Sequence, residues 1–361
     1  MSPDLRPGRR SRSTATAPPS SSQALTNSHT QNPDSLLPPP TSSTTRRSMQ
    51  LSVDILILGA GWTSTFLIPL LSSHSLSYAA TTRDGRGDTV KFAFDDNSDS
   101  EDLDDYRALP DAKTVLITFP ITKRGASGRL VRCYKLSRGR KEVGEEARWV
   151  QLGSTGVWDG QRKAKGSTAP PPPPKPVENK WYDRHTLIAP GHERGEAEEE
   201  LLRLNPSCRT TVLNLAGLWG GARSTRNWVG RVAPTKEALR NKGSIHMIHG
   251  VDVARAILAI HSNFEKAQGQ RWILTDGRVY DWWDLASAWG LPTSKDGEPP
   301  HEGEKEEDGE RGPHPRWVRE LMQETGVRAL PRNVEALGRA VDSREFWETF
   351  GLTPLKARLE G

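Results

Sequence analysis

Apolar side chains are scarce in this chain of 361 residues, whose hydrophobic fraction is 34%, below that of an ordinary globular protein. The deficit is local. Residues 1–50 are dominated by Ser, Thr, Pro and Arg with almost no aliphatic periodicity; they bury too little apolar surface to offset ordering entropy, so a disordered tail is expected there. Cysteine is nearly missing. Cys133 and Cys208 form neither a metal spacing nor a disulfide framework, which points to a reducing compartment. No apolar run approaches the ~20 residues that cross a bilayer and no secretory h-region is present, so no membrane association is expected. Net positive charge is thin outside the tail. Six arginines (6, 9, 10, 12, 46, 47) against Asp4 and Asp34 give the tail a net of +4 out of +5, leaving +1 elsewhere; the basic balance is therefore a property of the tail and does not argue for a nucleic-acid-binding domain. The tail's Arg and Ser content also suits a mitochondrial transit peptide, although its prolines interrupt any amphipathic helix and Met49 stands just before the first strand as a second start. Cytoplasmic residence is the first expectation and mitochondrial the second.

What the chain does have is LILGAGWTSTFLIPLL, residues 56–71. An apolar β-branched run meets Gly59-Ala60-Gly61, and an apolar helix-like segment follows at once. Strand, Gly-x-Gly and helix in that order open a dinucleotide site in a Rossmann fold. Gly59 permits the tight turn, and Gly61 lets the backbone approach a pyrophosphate. The helix beginning at Trp62 and Thr63 offers its unpaired N–H groups and positive dipole end to that anion. Ser64 stands where the third glycine is usual and is small enough for helix–strand packing. A second strand in 75–83 ends in Thr81-Thr82-Arg83, 24 residues after Gly59. Arginine at that point suits the 2′-phosphate of NADP, whereas an acid would favour NAD. Arg83 therefore points to NADP, and Asp84 behind it keeps NAD open.

The rest of the sequence from residue 51 alternates strand-like and helix-like segments, the signature of an α/β chain. Strands are expected at 90–95, 111–120, 148–159 and 210–220, with Thr118 and Phe119 at the carboxyl edge beside the ligand. Helices are expected around Leu130, Val131 and Tyr134, at 195–204, at 249–264 with Asp252 as N-cap, and from Asp281 to a C-cap at Gly290. Segment 137–148 reads as a charged insertion and 302–312 as a charged linker. The proline-rich loop 160–180 reads as a surface spacer, whose prolines at 170–174 could also engage an SH3- or WW-type protein partner through 170–176. Three parts are expected: tail 1–50, a dinucleotide-binding domain 51–290, and a linker with a small C-terminal helical lobe, 291–361.

Four segments, the glycine loop at 59–64, LGSTGVW at 152–158, LAGLWGGAR at 215–223 and IHMIHGVDVARAI at 245–257, resemble the extended short-chain dehydrogenase/reductase superfamily of NAD-dependent epimerases and dehydratases. The resemblance implies a doubly wound parallel Rossmann sheet with helices on both faces, a nicotinamide dinucleotide and a small substrate. Ser154, beside Thr155, matches the family's catalytic serine. Redox members carry a Tyr-x-x-x-Lys pair whose lysine lowers the tyrosine pKa; aligning Ala197-Glu198 with the family's Ala-Glu puts Pro190 at the tyrosine and Arg194 at the lysine. Lacking that tyrosine, the chain resembles the atypical YeeZ-like branch. Arg194 could pair with a cofactor phosphate or an acidic substrate. Tyr182, upstream, could stand in for the tyrosine only if its loop folds back. His246 and His249 read as packed strand-end histidines rather than metal ligands, and Trp158, Trp219, Trp228, Trp282, Trp283 and Trp289 as core and pocket lining.

Two functions fit these residues. One is an NADP-dependent oxidoreductase or epimerase acting on a small polar carbonyl or sugar-like substrate. The other is a catalytically inactive nucleotide-binding sensor or scaffold.

Overall fold

A computed structural model describes residues 52–138, 146–159, 180–290 and 312–359. The Ser/Pro/Arg-rich tail, most of the expected insertion and the proline-rich loop, and nearly all of the charged linker lie outside the described residues.

Seven parallel strands form the main sheet: β1 (Ser52–Leu58), β2 (Tyr78–Thr82), β3 (Val90–Lys91), β4 (Asp111–Ile117), β5 (Arg148–Ser154), β6 (Thr210–Leu215) and β7 (Arg271–Leu274). Their spatial order is β7-β6-β5-β4-β1-β2-β3, all pairs parallel. This is the doubly wound α/β arrangement expected from the alternating pattern. The chain reverses direction across the sheet between β1 and β4, and ligands of such sheets bind at the carboxyl ends beside that switch. Register there brings Leu56 opposite Val115 and Leu58 opposite Ile117, so Gly59 and Thr118 leave the sheet side by side.

Alternation along β1 builds both cores, because successive side chains in a strand point to opposite faces. Ile55 and Ile57 join Leu67 and Leu71 of α1 (Trp62–Ser73) on one face. Leu56 and Leu58 join Leu130 and Tyr134 of α2 (Ala126–Arg138) and Leu201 of α3 (Glu193–Arg203) on the other. Helix α4 (Gly250–Ser262) packs beside α1 through Val253, Ile257 and Ile260. Burial on both faces explains why β1, β4 and β6 read as continuous apolar runs.

A further apolar cluster gathers Trp219, Met247, Trp282, Trp283, Val318 and Leu321 from α5 (Trp282–Trp289), α6 (His314–Thr325) and short strands. Ser244–Ile245 pairs with Tyr280–Asp281, and Lys180–Tyr182 pairs in parallel with Arg339–Val341. Helix α7 (Arg344–Phe350) returns to the main sheet, setting Phe346 against Trp272. The described residues all belong to one compact unit.

Four local expectations are corrected. The strand expected at 90–95 is confined to 90–91, since its partner β2 ends at Thr82, whose carbonyl accepts the last cross-strand bond from the Phe92 amide. The run 148–159 is a strand only to Ser154, whose hydroxyl caps a 3-10 turn over Thr155–Trp158. The run 210–220 breaks at Ala216, and Gly217–Trp219 pairs instead with Met247–His249. The cap of α4 is His249, which accepts from the Val251 amide through Nδ1. Asp252 lies inside the first turn, fully buried, and accepts from the backbone amides of Leu355 and Lys356. It anchors the C-terminal segment rather than capping its own helix. Asp281 and Gly290 do bound α5 as expected.

Candidate active site

The glycine loop is tied down from both neighbouring strands. Gly59 N–H donates to Thr81 Oγ1 at 3.0 Å and the Ala60 amide donates to Thr81 O at 2.6 Å. Thr118 Oγ1 donates to Gly59 O at 2.6 Å. Gly59 has φ +94°, and a Cβ there would meet Thr118 Oγ1 at 2.7 Å, so both backbone shape and space demand glycine. Gly61 faces open space, the clearance a phosphate group needs. Gly61 also caps α1 without a side-chain hydrogen bond, and no acid sits in the first turn; the first-turn N–H groups at Trp62 and Thr63 therefore open toward the cavity with their positive dipole end undiminished. Ser64 is buried under the loop, as its role in helix–strand packing requires.

A cavity of about 280 Å³ opens here, lined by Gly61, Trp62, Thr63, Thr118, Ser154 and Arg194 among others. The structure thus brings together six of the twelve site residues singled out from sequence. Phe119 lies one step aside, stacked on Phe94 with ring centroids 5.8 Å apart. Thr82 ends β2 and Arg83 stands just beyond it, both outside the lining of this cavity. Thr82 Oγ1 meets Thr89 Oγ1 at 2.7 Å. The Asp84 carboxylate is held below its usual range by Thr82 first and by backbone amides and Arg86 after it, and Arg86 lies 3.7 Å away. Asp84 is therefore engaged inside its own loop, while among the described residues no hydrogen bond or ion pair holds the exposed Arg83 side chain.

Arg194 occupies the lysine-equivalent position but is firmly placed. Its Nη2 donates to Leu152 O at 2.7 Å and its Nε to Glu198 Oε1 at 3.2 Å. Glu198 is fully buried and also takes a hydrogen bond from Asn214 Nδ2 at 2.8 Å and an ion pair from Arg271. Asn214 Nδ2 in turn donates to Ser154 O at 3.1 Å. A buried carboxylate survives only with such partners, and here the network fixes the strand end carrying Ser154. Sequence reasoning missed Glu198, Asn214 and Arg271. Asn214 and Arg271 carried a signal as polar residues in apolar strands, whereas Glu198 is one of several acids in α3 and carried none.

A second cavity, about 1080 Å³, begins where the first ends: the two share Ser154, Leu215 and Ala216. Thr155, Trp158, Trp228 and Trp282 line it. Ser154 Oγ accepts the Gly156 amide at 3.1 Å, so its own hydrogen is left to point at a ligand oxygen. Arg339, missed from sequence, donates to Thr155 O at 2.8 Å and pairs with Asp159. His246 is buried and accepts from the Val341 amide at 3.0 Å; burial pushes its pKa down to about 3, so it is neutral. Pro190 lies in an exposed turn just before α3, and supplies no acid or base.

No family model matches the sequence, and no curated protein matches it. Solved structures do match in shape. An NAD-dependent epimerase/dehydratase described from Methylobacillus flagellatus is 14% identical over 85% of this chain and 94% of its own, with a TM-score of 0.52. The chain has a Rossmann-type fold shared with such proteins. A short-chain dehydrogenase/reductase superfamily protein from Agrobacterium tumefaciens, solved with bound NAD, is 13% identical over 83% of this chain and 92% of its own at a TM-score of 0.50. Alfalfa vestitone reductase is 14% identical over 82% and 92%, also at 0.50.

Proposed function

We propose that this protein is a nicotinamide dinucleotide-dependent oxidoreductase or epimerase of the extended short-chain dehydrogenase/reductase type, in its YeeZ-like branch, acting on a small polar carbonyl or sugar-like substrate. One observation carries the reading: the glycine-loop cavity and the larger cleft meet at Ser154. The residues present fit the cofactor. Gly59 shapes the turn and Gly61 clears space for its pyrophosphate, the start of α1 at Trp62 and Thr63 supplies donors, and Arg194 adds a cation to the same cavity. When bound, the nicotinamide would exchange a hydride with a substrate carbon. Ser154 orients the substrate oxygen through its hydroxyl hydrogen, with Thr155 beside it. Arg83 selects NADP over NAD by pairing with the 2′-phosphate, because Asp84 is already engaged with Thr82 and Arg86. Two free, buried cysteines suit residence in the reducing cytoplasm.

The rival reading, a nucleotide-binding sensor that has given up catalysis, draws on Pro190 alone. Calorimetric titration of the full chain with NADPH and NADH tests the first premise: tight NADPH binding with weaker NADH binding is expected, and no binding of either overturns the reading. Ser154→Ala then separates the rivals. It abolishes turnover and leaves nucleotide affinity intact if Ser154 orients the substrate; a sensor would be indifferent to it.

A further inference from the structure

The cleft contains a phenol where the alignment has none. Lys180–Tyr182 folds back as a strand against Arg339–Val341, with Tyr182 O accepting the Asp342 amide at 2.8 Å. That pairing returns a segment 28 residues beyond Ser154 to the Ser154 side of the cleft. The Tyr182 ring packs on the cluster containing Val157 and Trp158, which belong to the very turn that Ser154 caps. Tyr182, Ser154 and Thr155 then line the same cavity.

Resting on the dinucleotide reading above, we propose that Tyr182 is the proton donor to a carbonyl substrate held in this cleft, replacing the tyrosine whose position Pro190 occupies. The other titratable groups in the lining are poorly placed for the task. Asp159 and Arg339 neutralise each other, Arg240 pairs with Glu237 and Glu324, and Arg332 pairs with Asp281. His246 is neutral, with Nε2 already accepting from the Val341 amide. Lys242 and Glu335 complete the charged lining; neither belongs to the elements packed around Val157 and Trp158. In the step proposed, the substrate carbonyl carbon takes the hydride supplied by the reduced dinucleotide, the carbonyl π pair moves to oxygen, and that oxygen takes the Tyr182 hydroxyl proton. The dinucleotide is left oxidised, the carbonyl is reduced to an alcohol, and the tyrosinate recovers a proton from water. In the opposite direction Tyr182 is the base.

A phenol beside the nicotinamide position senses the cofactor's charge, because the oxidised ring is cationic and the reduced ring is not. An opposite charge close by favours tyrosinate. The test is an ultraviolet titration of tyrosinate in the full chain, alone and saturated with NADP⁺ or NADPH. Five tyrosines are present. Burial pushes the phenols of Tyr106, Tyr134 and Tyr280 well above their usual range, and Tyr78 begins β2 at the end of the strand away from the cavities. Expected is one tyrosine whose acidity rises about tenfold or more with NADP⁺ and not with NADPH. Tyr182→Phe keeps the packing ring and should abolish that signal while binding both nucleotides as wild type does. A NADP⁺-linked shift that persists in Tyr182→Phe, or no shift in a wild-type chain that binds NADP⁺, overturns the proton donor alone. Failure of the wild type to bind either nucleotide overturns the dinucleotide reading, and the donor falls with it.

Discussion

The two cavities that meet at Ser154 are built in different ways. On the glycine-loop side the loop and its ties are local: Gly59 to Ser64, the end of β2 and Thr118 lie within 60 residues of one another in sequence, and their hydrogen bonds all involve the loop's backbone groups. The cleft side is assembled from distant pieces. Thr155 is bonded by Arg339 across 184 residues, and Arg332 reaches back 51 residues to the buried Asp281 carboxylate. Geometry imposed by backbone leaves a short, readable motif; geometry imposed by long-range side-chain pairs does not.

If that contrast is right, the two sides should fail in different ways. Removing a buried ion-pair partner should hurt most. Asp281 caps α5 through the Trp283 amide and receives the Arg332 guanidinium, so Asp281→Ala should cost about 3–5 kcal/mol in a denaturant titration, leaving Arg332 buried among Trp283 and its neighbours. On the nucleotide side, Gly59→Ala forces a Cβ into a φ of +94° and into Thr118 Oγ1. It should cost about 1–3 kcal/mol and lower NADPH affinity about a hundredfold, read by calorimetry.

The cleft-side lobe should also carry a pH signature. Burial raises the Asp276 carboxyl from 3.8 to about 6, opposed by the Tyr280 hydroxyl bonded to it. The folded chain therefore keeps a proton that the unfolded chain has lost across that window. Stability contributed at this site falls as pH rises from 3.8 to about 6 and is level above it. Asp276→Asn should remove that slope, an effect of about 3 kcal/mol across the window, seen in denaturation midpoints at several pH values. The smallest effect sharpens specificity alone: Arg83→Ala should weaken NADPH about tenfold and leave NADH unchanged, by the same calorimetry.

The sequence carried the sheet well, because β1, β4 and β6 are buried on both faces over most of their length and carry apolar runs there. It carried Gly59, Gly61 and Ser154 to one place for the same local reasons. It misplaced the cap of α4, since Asp252 has the chemistry of an N-cap but is engaged by Leu355 and Lys356 about a hundred residues away. Glu198, Asn214 and Arg271 could not be recognised as a network without knowing that α3, β6 and β7 converge. Tyr182 was visible as a residue, and only its pairing with Arg339–Val341 shows that it reaches the cleft.

The most direct measurement is a crystal structure of the full chain with NADPH. The account predicts a pyrophosphate on Gly61 and the first turn of α1, the 2′-phosphate toward Arg83, and the nicotinamide ending in contact range, about 3–4 Å, of a ligand position beside Ser154. A nucleotide bound with its nicotinamide away from Ser154, or outside the glycine-loop cavity altogether, would contradict it.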